Sequence, residues 1–169
     1  MKYFTKIFIC EILFFIFCFS LQAQIPAPAK SVPNFRLYQF NGQPFVREQL
    51  PTNKLIFFIF FDITCDHCQH VFQEINAHYS AMKNVAMYLV SLDSEAGMAN
   101  FITRFAPNLV GKPNIILLRD IQNEFIQKFT PRKYPSMFLY NPQKQLLLYD
   151  DEPAHFTQFL AAINRAAHK

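Results

Sequence analysis

Apolar and polar positions change period along this chain, and each change marks an element. FRLYQFNGQPF, Phe35 to Phe45, gives two short alternating runs around Asn41-Gly42, a strong hairpin signal. Leu55 to Phe61, LIFFIFF, is seven apolar residues without alternation, the pattern of a strand covered on both faces. From Cys68 the period becomes helical: Cys68, Val71, Phe72, Ile75, Tyr79 and Met82 share one stripe. Thr64 or Asp62 is placed to cap that helix. Val85 to Leu92 reads as a second buried strand, and Met98, Phe101, Ile102 and Phe105 mark a second helix. Asn114 to Leu118 reads as a third core strand, followed by a helix on Ile121, Phe125, Ile126 and Phe129. SMFLY and QLLLY flank the turn sequence NPQK as an antiparallel hairpin, and Phe156, Phe159, Leu160 and Ile163 mark a closing helix. This order predicts one α/β domain.

The first 33 residues fall outside that pattern. Met1 to Ala23 runs from Lys2 and Lys6 through an apolar stretch to a small residue, the order of a secretory signal peptide. Ile7 to Leu21 is 15 residues and includes Glu11, short of the roughly 20 that cross a bilayer. An uncleaved anchor is the second reading. Cys18 follows Phe17 rather than a small residue, which disfavours lipid modification of that cysteine. Residues 24–33 hold three prolines and little to bury, and read as an extended lead-in to a domain over residues 34–169.

Removing the first 23 residues changes the charge and the cysteine count. The full chain of 169 residues carries +4; without Lys2, Lys6 and Glu11 it carries +3, scattered rather than clustered, which is no nucleic-acid footprint. Cys10 and Cys18 leave with the signal, so Cys65 and Cys68 are the cysteines of the domain. A loop that short restrains little chain, and the remaining 146 residues can bury a core without a staple. Their chemistry is therefore the reason for them. Three glycines in the whole chain make no phosphate loop, and no cofactor is expected.

Cys65 follows a buried strand and opens a helix. Free N–H groups and the helix dipole there favour an anion, so its thiolate is expected to be stabilised. Cys68 lies one turn further, on the buried stripe. That asymmetry suits exchange: the outer thiol attacks a partner disulfide and the inner one resolves the mixed disulfide. His67 near the sulfur would make the pair more oxidising, and Asp66 would pull the other way; His67 is the favoured tuner. Downstream, Pro135 stands at the mouth of a core strand. A cis Tyr134-Pro135 bond would turn the chain there and hold the Tyr134 backbone against the dithiol, where an extended partner segment could pair.

A strand, CxxC, a helix, and a proline opening the penultimate hairpin resemble the thioredoxin-like superfamily, and more closely its exported TlpA/ResA-type members. PNFRLYQFNGQPFVREQL resembles their N-terminal β-hairpin. NFITRFAPNLVGKPNIILLRD resembles their helix-strand insert before the cis-proline. The resemblance implies a central mixed β-sheet flanked by helices, and thiol-disulfide exchange with cysteine-containing exported proteins. It implies a periplasmic setting and a membrane-bound redox partner that recharges the dithiol. Cys65 would attack, Cys68 resolve, and Pro135 be the substrate-loop residue beside Tyr134.

Departures from the family bear on direction. Thr64 stands where many relatives have Trp, Ile59 where thioredoxins have a buried acid, and Val71 where ResA-type proteins have Glu. Glu74 and Asp62 are the candidate substitutes. A His before the second cysteine is the habit of oxidising DsbA-type proteins, so electron flow in either direction stays open. Three rival readings share the fold. Cys65, Cys68 and His67 or His70, with His155, could bind copper as Sco-type chaperones do, although those use CxxxC. Peroxiredoxins put Thr at the position of Cys65 and their peroxidatic cysteine at that of Cys68. A non-catalytic binding module, docking through the Pro135 edge, is the third.

Overall fold

A computed structural model describes residues 26–167. The expected signal segment, Met1 to Ala23, lies outside the described residues. Of the 24–33 lead-in, residues 26–33 are described. They run extended, but they are strapped to the domain. Ser31 bridges Gln145, Leu146 N–H donates to Lys30 O (2.8 Å), and Val32 N–H donates to Lys144 O (2.9 Å). Ala29 N–H donates to Phe129 O (3.1 Å), and Val32 is buried. This stretch buries more than its prolines suggest.

The Asn41-Gly42 signal yields a hairpin of β1 (Arg36–Tyr38) and β2 (Pro44–Val46), with Gly42 at φ 77° as such a turn requires. The apolar run becomes β3 (Ile56–Phe60), buried at every position. It is followed by α1 (Asp66–Ala77), β4 (Ala86–Ser91), α2 (Glu95–Phe105), β5 (Ile115–Arg119) and α3 (Glu124–Phe129). β6 (Ser136–Tyr140), β7 (Leu146–Asp150) and α4 (Phe156–Ala167) complete the described chain. The seven strands form one mixed sheet in the order β2-β1-β5-β4-β3-β6-β7. β3, β4 and β5 are parallel, while β1, β2 and β6 run against their neighbours and β7 against β6. This is the thioredoxin-like arrangement, with the hairpin joined to β5 at one edge.

Alternation along β3 sorts the core into two layers. Phe57, Ile59 and Phe61 face α1, α2 and α4, through Val71, Phe72, Phe101, Phe156 and Phe159. Ile56, Phe58 and Phe60 face the hairpin and α3, where Phe35, Phe45, Phe125, Phe129 and Phe138 form an aromatic cluster. A six-residue helix covers little sheet, and rings supply the missing volume.

Three local expectations are corrected. β5 is only half-buried apart from Leu118, because its partner β1 is short and meets it at one residue pair. Ile121 is exposed and precedes α3, because the buried Asp120 carboxylate receives Phe125 N–H (2.9 Å) and starts the helix later. Neither Thr64 nor Asp62 caps α1; Cys65 is its N-cap.

Candidate functional site

β3 ends at the dithiol, and the turn from Asp62 to Cys65 is fixed by polar groups from two strands. Asp62 Oδ1 accepts from Thr64 N–H (2.7 Å) and from the Thr64 hydroxyl (2.6 Å), and Cys65 N–H donates to Asp62 O (3.3 Å). From the end of β4, Asp93 Oδ2 accepts from Ile63 N–H (3.1 Å) and from the buried Ser91 hydroxyl (2.7 Å). Asp93 was not among the sequence-selected residues. The signal was available, since SLD places an acid just past a buried strand at the same sheet end as Asp62.

The two sulfurs sit in different surroundings. Cys65 is partly exposed and Cys68 is fully buried, and both are free thiols. Cys68 N–H is shared between Cys65 O (3.0 Å) and Cys65 Sγ (3.4 Å), so the first turn of α1 directs an amide at that sulfur. On its other side, Cys65 Sγ lies 3.7 Å from Tyr134 O and donates to it. The Tyr134-Pro135 peptide is cis, Pro135 is buried, and the Tyr134 ring packs on Phe60 at 4.9 Å between centroids. The Cys68 thiol is pushed well above its ordinary value, first by burial, against an opposing hydrogen bond with the Asp62 backbone, and further by Cys65 and the Asp62 carboxylate. Burial, and then Asp62, also push the Tyr134 hydroxyl up.

The structure thus brings Cys65, Cys68, Tyr134 and Pro135 together. His67 lies on the first turn of α1 but is exposed, and among the described residues it makes no hydrogen bond to either sulfur. Asp66 is exposed and accepts from Gln69 Nε2 (3.1 Å). Of the two candidate acids, Asp62 is hydrogen-bonded to Thr64 beside the dithiol, whereas Glu74 is exposed and 3.6 Å from His78. His155 faces Asp150 (2.9 Å), and no group of three or more His, Cys, Asp or Glu suited to a metal occurs among the described residues.

With the Cys68 N–H and the Tyr134 carbonyl beside its sulfur, Cys65 has the access and partners for nucleophilic exchange, and Cys68 has the enclosure of a second-step thiol. Among the described residues, no helix is long and apolar enough to cross a membrane.

The model of the AhpC/TSA family matches residues 28–148. No curated protein sequence matches the chain. Solved structures share the fold. One is a secreted disulfide oxidoreductase of Mycobacterium tuberculosis, described as homologous to E. coli DsbE. It is 17% identical, with 76% of this chain and 95% of that one covered and a TM-score of 0.60. Another is a thiol-disulfide oxidoreductase from Bacteroides fragilis, 22% identical, covering 79% and 99%, at 0.61. A third is the peroxidoxin BcpB of Mycobacterium tuberculosis, 15% identical, covering 82% and 96%, at 0.64.

Proposed function

The chain belongs to the AhpC/TSA family of redox enzymes, and from that premise we propose that it is an exported thiol-disulfide oxidoreductase of the TlpA/ResA type. Its substrates are cysteine-containing exported proteins, in a periplasmic setting, and a membrane-bound redox partner recharges it. The observation that carries this reading is the contrast between a partly exposed Cys65, beside the Tyr134 carbonyl, and a buried Cys68.

In the reducing direction the Cys65 thiolate attacks one sulfur of a partner disulfide. A Cys65–partner S–S bond forms, the partner S–S bond breaks, and one partner thiolate leaves. Cys68 then gives up its proton, for which that thiolate is an available acceptor, and attacks the Cys65 sulfur. The Cys65–Cys68 disulfide closes, the second partner thiol departs, and two electrons have passed to the partner. The opposite direction is the same path reversed. The partner segment lies extended along the Tyr134-Pro135 loop, and the exposed His67 tunes the pair from the solvent side.

A peroxidase is the second reading, because the family match and the BcpB likeness favour it. By the peroxiredoxin resemblance the peroxidatic cysteine would be Cys68. That residue is fully buried and its thiol is held protonated, both unfavourable for attack on peroxide.

Equilibrating the protein against a glutathione series tests the proposal. A reversible Cys65–Cys68 disulfide is expected. A potential of about −120 to −180 mV makes it an oxidant or isomerase, and about −250 mV or lower a reductant. Failure to form a reversible disulfide, with tight copper binding or peroxide turnover instead, overturns the reading.

A further inference from the structure

The loop from Arg132 to Ser136 carries the Tyr134 carbonyl, and its start is bonded to a hydroxyl of the neighbouring strand. Tyr149, on β7, accepts from Arg132 N–H (3.2 Å) at the loop's start. The same oxygen lies 3.1 Å from the hydroxyl of Ser136 at the loop's end. Ser136 is fully buried, and its hydroxyl donates to Lys133 O (2.7 Å), closing the backbone over Tyr134 and Pro135. Tyr149 donates its own proton to Asp151 Oδ2 (2.9 Å). Lys133 ion-pairs with Glu152 and lies 3.8 Å from Asp151, so the loop is fastened to residues 149–152 a second time.

The ring of Tyr149 has ordinary packing. It meets Phe138 at 4.7 Å, and the Arg132 guanidinium stands over it at 5.4 Å. A phenylalanine would keep both contacts. The hydroxyl is what distinguishes the residue: it takes the Arg132 N–H of the loop and gives its own proton to Asp151. Without it, the Arg132 amide would lose its partner.

We propose that Tyr149, oriented by Asp151, is a positioning residue that fixes the Arg132–Ser136 loop to receive the extended backbone of a peptide or protein disulfide opposite Cys65. This rests on the exchange reading above and deepens it. The loop's value lies in a preset main-chain partner, so its loss weakens capture of a peptide chain and not sulfur chemistry. A small disulfide with no peptide backbone has no use for the loop and serves as the internal control.

The test follows single turnovers of the reduced full chain, with half-saturation read as KM and limiting rate as kcat, against two probes: a cysteine-containing peptide disulfide-linked to glutathione, and 2-hydroxyethyl disulfide. Tyr149→Phe is expected to raise KM for the peptide about tenfold, the scale of one hydrogen bond. Its kcat for the peptide and its rate with hydroxyethyl disulfide stay at the parent's values. Asp151→Asn retains an acceptor for the Tyr149 hydroxyl and is expected to keep a KM close to the parent's. An unchanged peptide KM in Tyr149→Phe overturns the proposal, as does equal slowing with both probes, the mark of general loosening. A parent protein that reacts with neither probe removes the exchange reading itself, a result distinct from a failure of the loop argument.

Discussion

Cys65 and Cys68 stand one helical turn apart, at the rim and the floor of the same turn of α1. At the rim the sulfur meets polar backbone: an N–H from Cys68 and the carbonyl of Tyr134. At the floor it joins Val71, Phe72 and Phe101 in the core layer, and burial holds its proton on. Identical side chains thereby acquire opposite aptitudes. The rim thiol can be reached and can bond to an incoming group. The floor thiol is shut away until a mixed disulfide has formed above it. The lesson is that one helical turn, set across the boundary between sheet end and core, is enough to order the two steps of exchange.

The largest effect that can break this comparison is loss of the rim thiol. Cys65→Ser is expected to reduce exchange with a peptide disulfide by roughly a thousandfold or more, measured as turnover at saturating peptide. Equal activity in Cys65→Ser and the parent would move the nucleophile elsewhere. Next comes labelling. Iodoacetamide should modify Cys65 about a hundredfold faster than Cys68 in the folded protein, with the gap closing in denaturant, as read by mass spectrometry.

A third effect sharpens the floor's side of the comparison through pH. The Cys68 thiol titrates above its ordinary value of 9.0 when folded. Below that ordinary value both states keep the proton and the contribution to stability is complete. Above it the unfolded chain ionises and the folded chain does not, so stability falls by about 1.4 kcal/mol per pH unit as pH rises. Thermal unfolding between about pH 8 and pH 10 should reveal this decline, and Cys68→Ser should flatten it. The smallest effect belongs to His67, exposed and without a hydrogen bond to sulfur. His67→Pro is expected to make the pair more reducing by about 30 mV or less, near a tenfold change in equilibrium. No shift in potential would leave the open helix terminus as the tuner.

The elements legible in the sequence were those whose burial repeats locally. β3 and the Cys68–Ile75 stripe of α1 each announce themselves by period, although the helix ends at Ala77 and residues Tyr79–Met82 form a separate 3-10 turn, and Pro135 by standing where a strand needs an N–H. Cys65, Cys68, Tyr134 and Pro135 followed from those elements. What escaped depends on strand order. The partial burial of β5 follows from the shortness of β1 beside it. Tyr149 sits in an edge strand, and only the pairing of β6 with β7 brings its hydroxyl to the loop. Asp93 similarly matters because β4 lies beside β3. The cap at Cys65 could not be read from composition, because a cysteine sulfur took the place usually held by an oxygen.

The most direct test of the division of labour is a trapping pair in an exported-protein extract, with non-reducing separation of the products. Cys68→Ser can complete the first step and not the second, so it is predicted to accumulate mixed disulfides through Cys65 that dissolve on reduction. Cys65→Ser is predicted to accumulate almost none, because Cys68 is buried and protonated. Equal trapping by the two variants, or trapping through Cys68, would contradict the account.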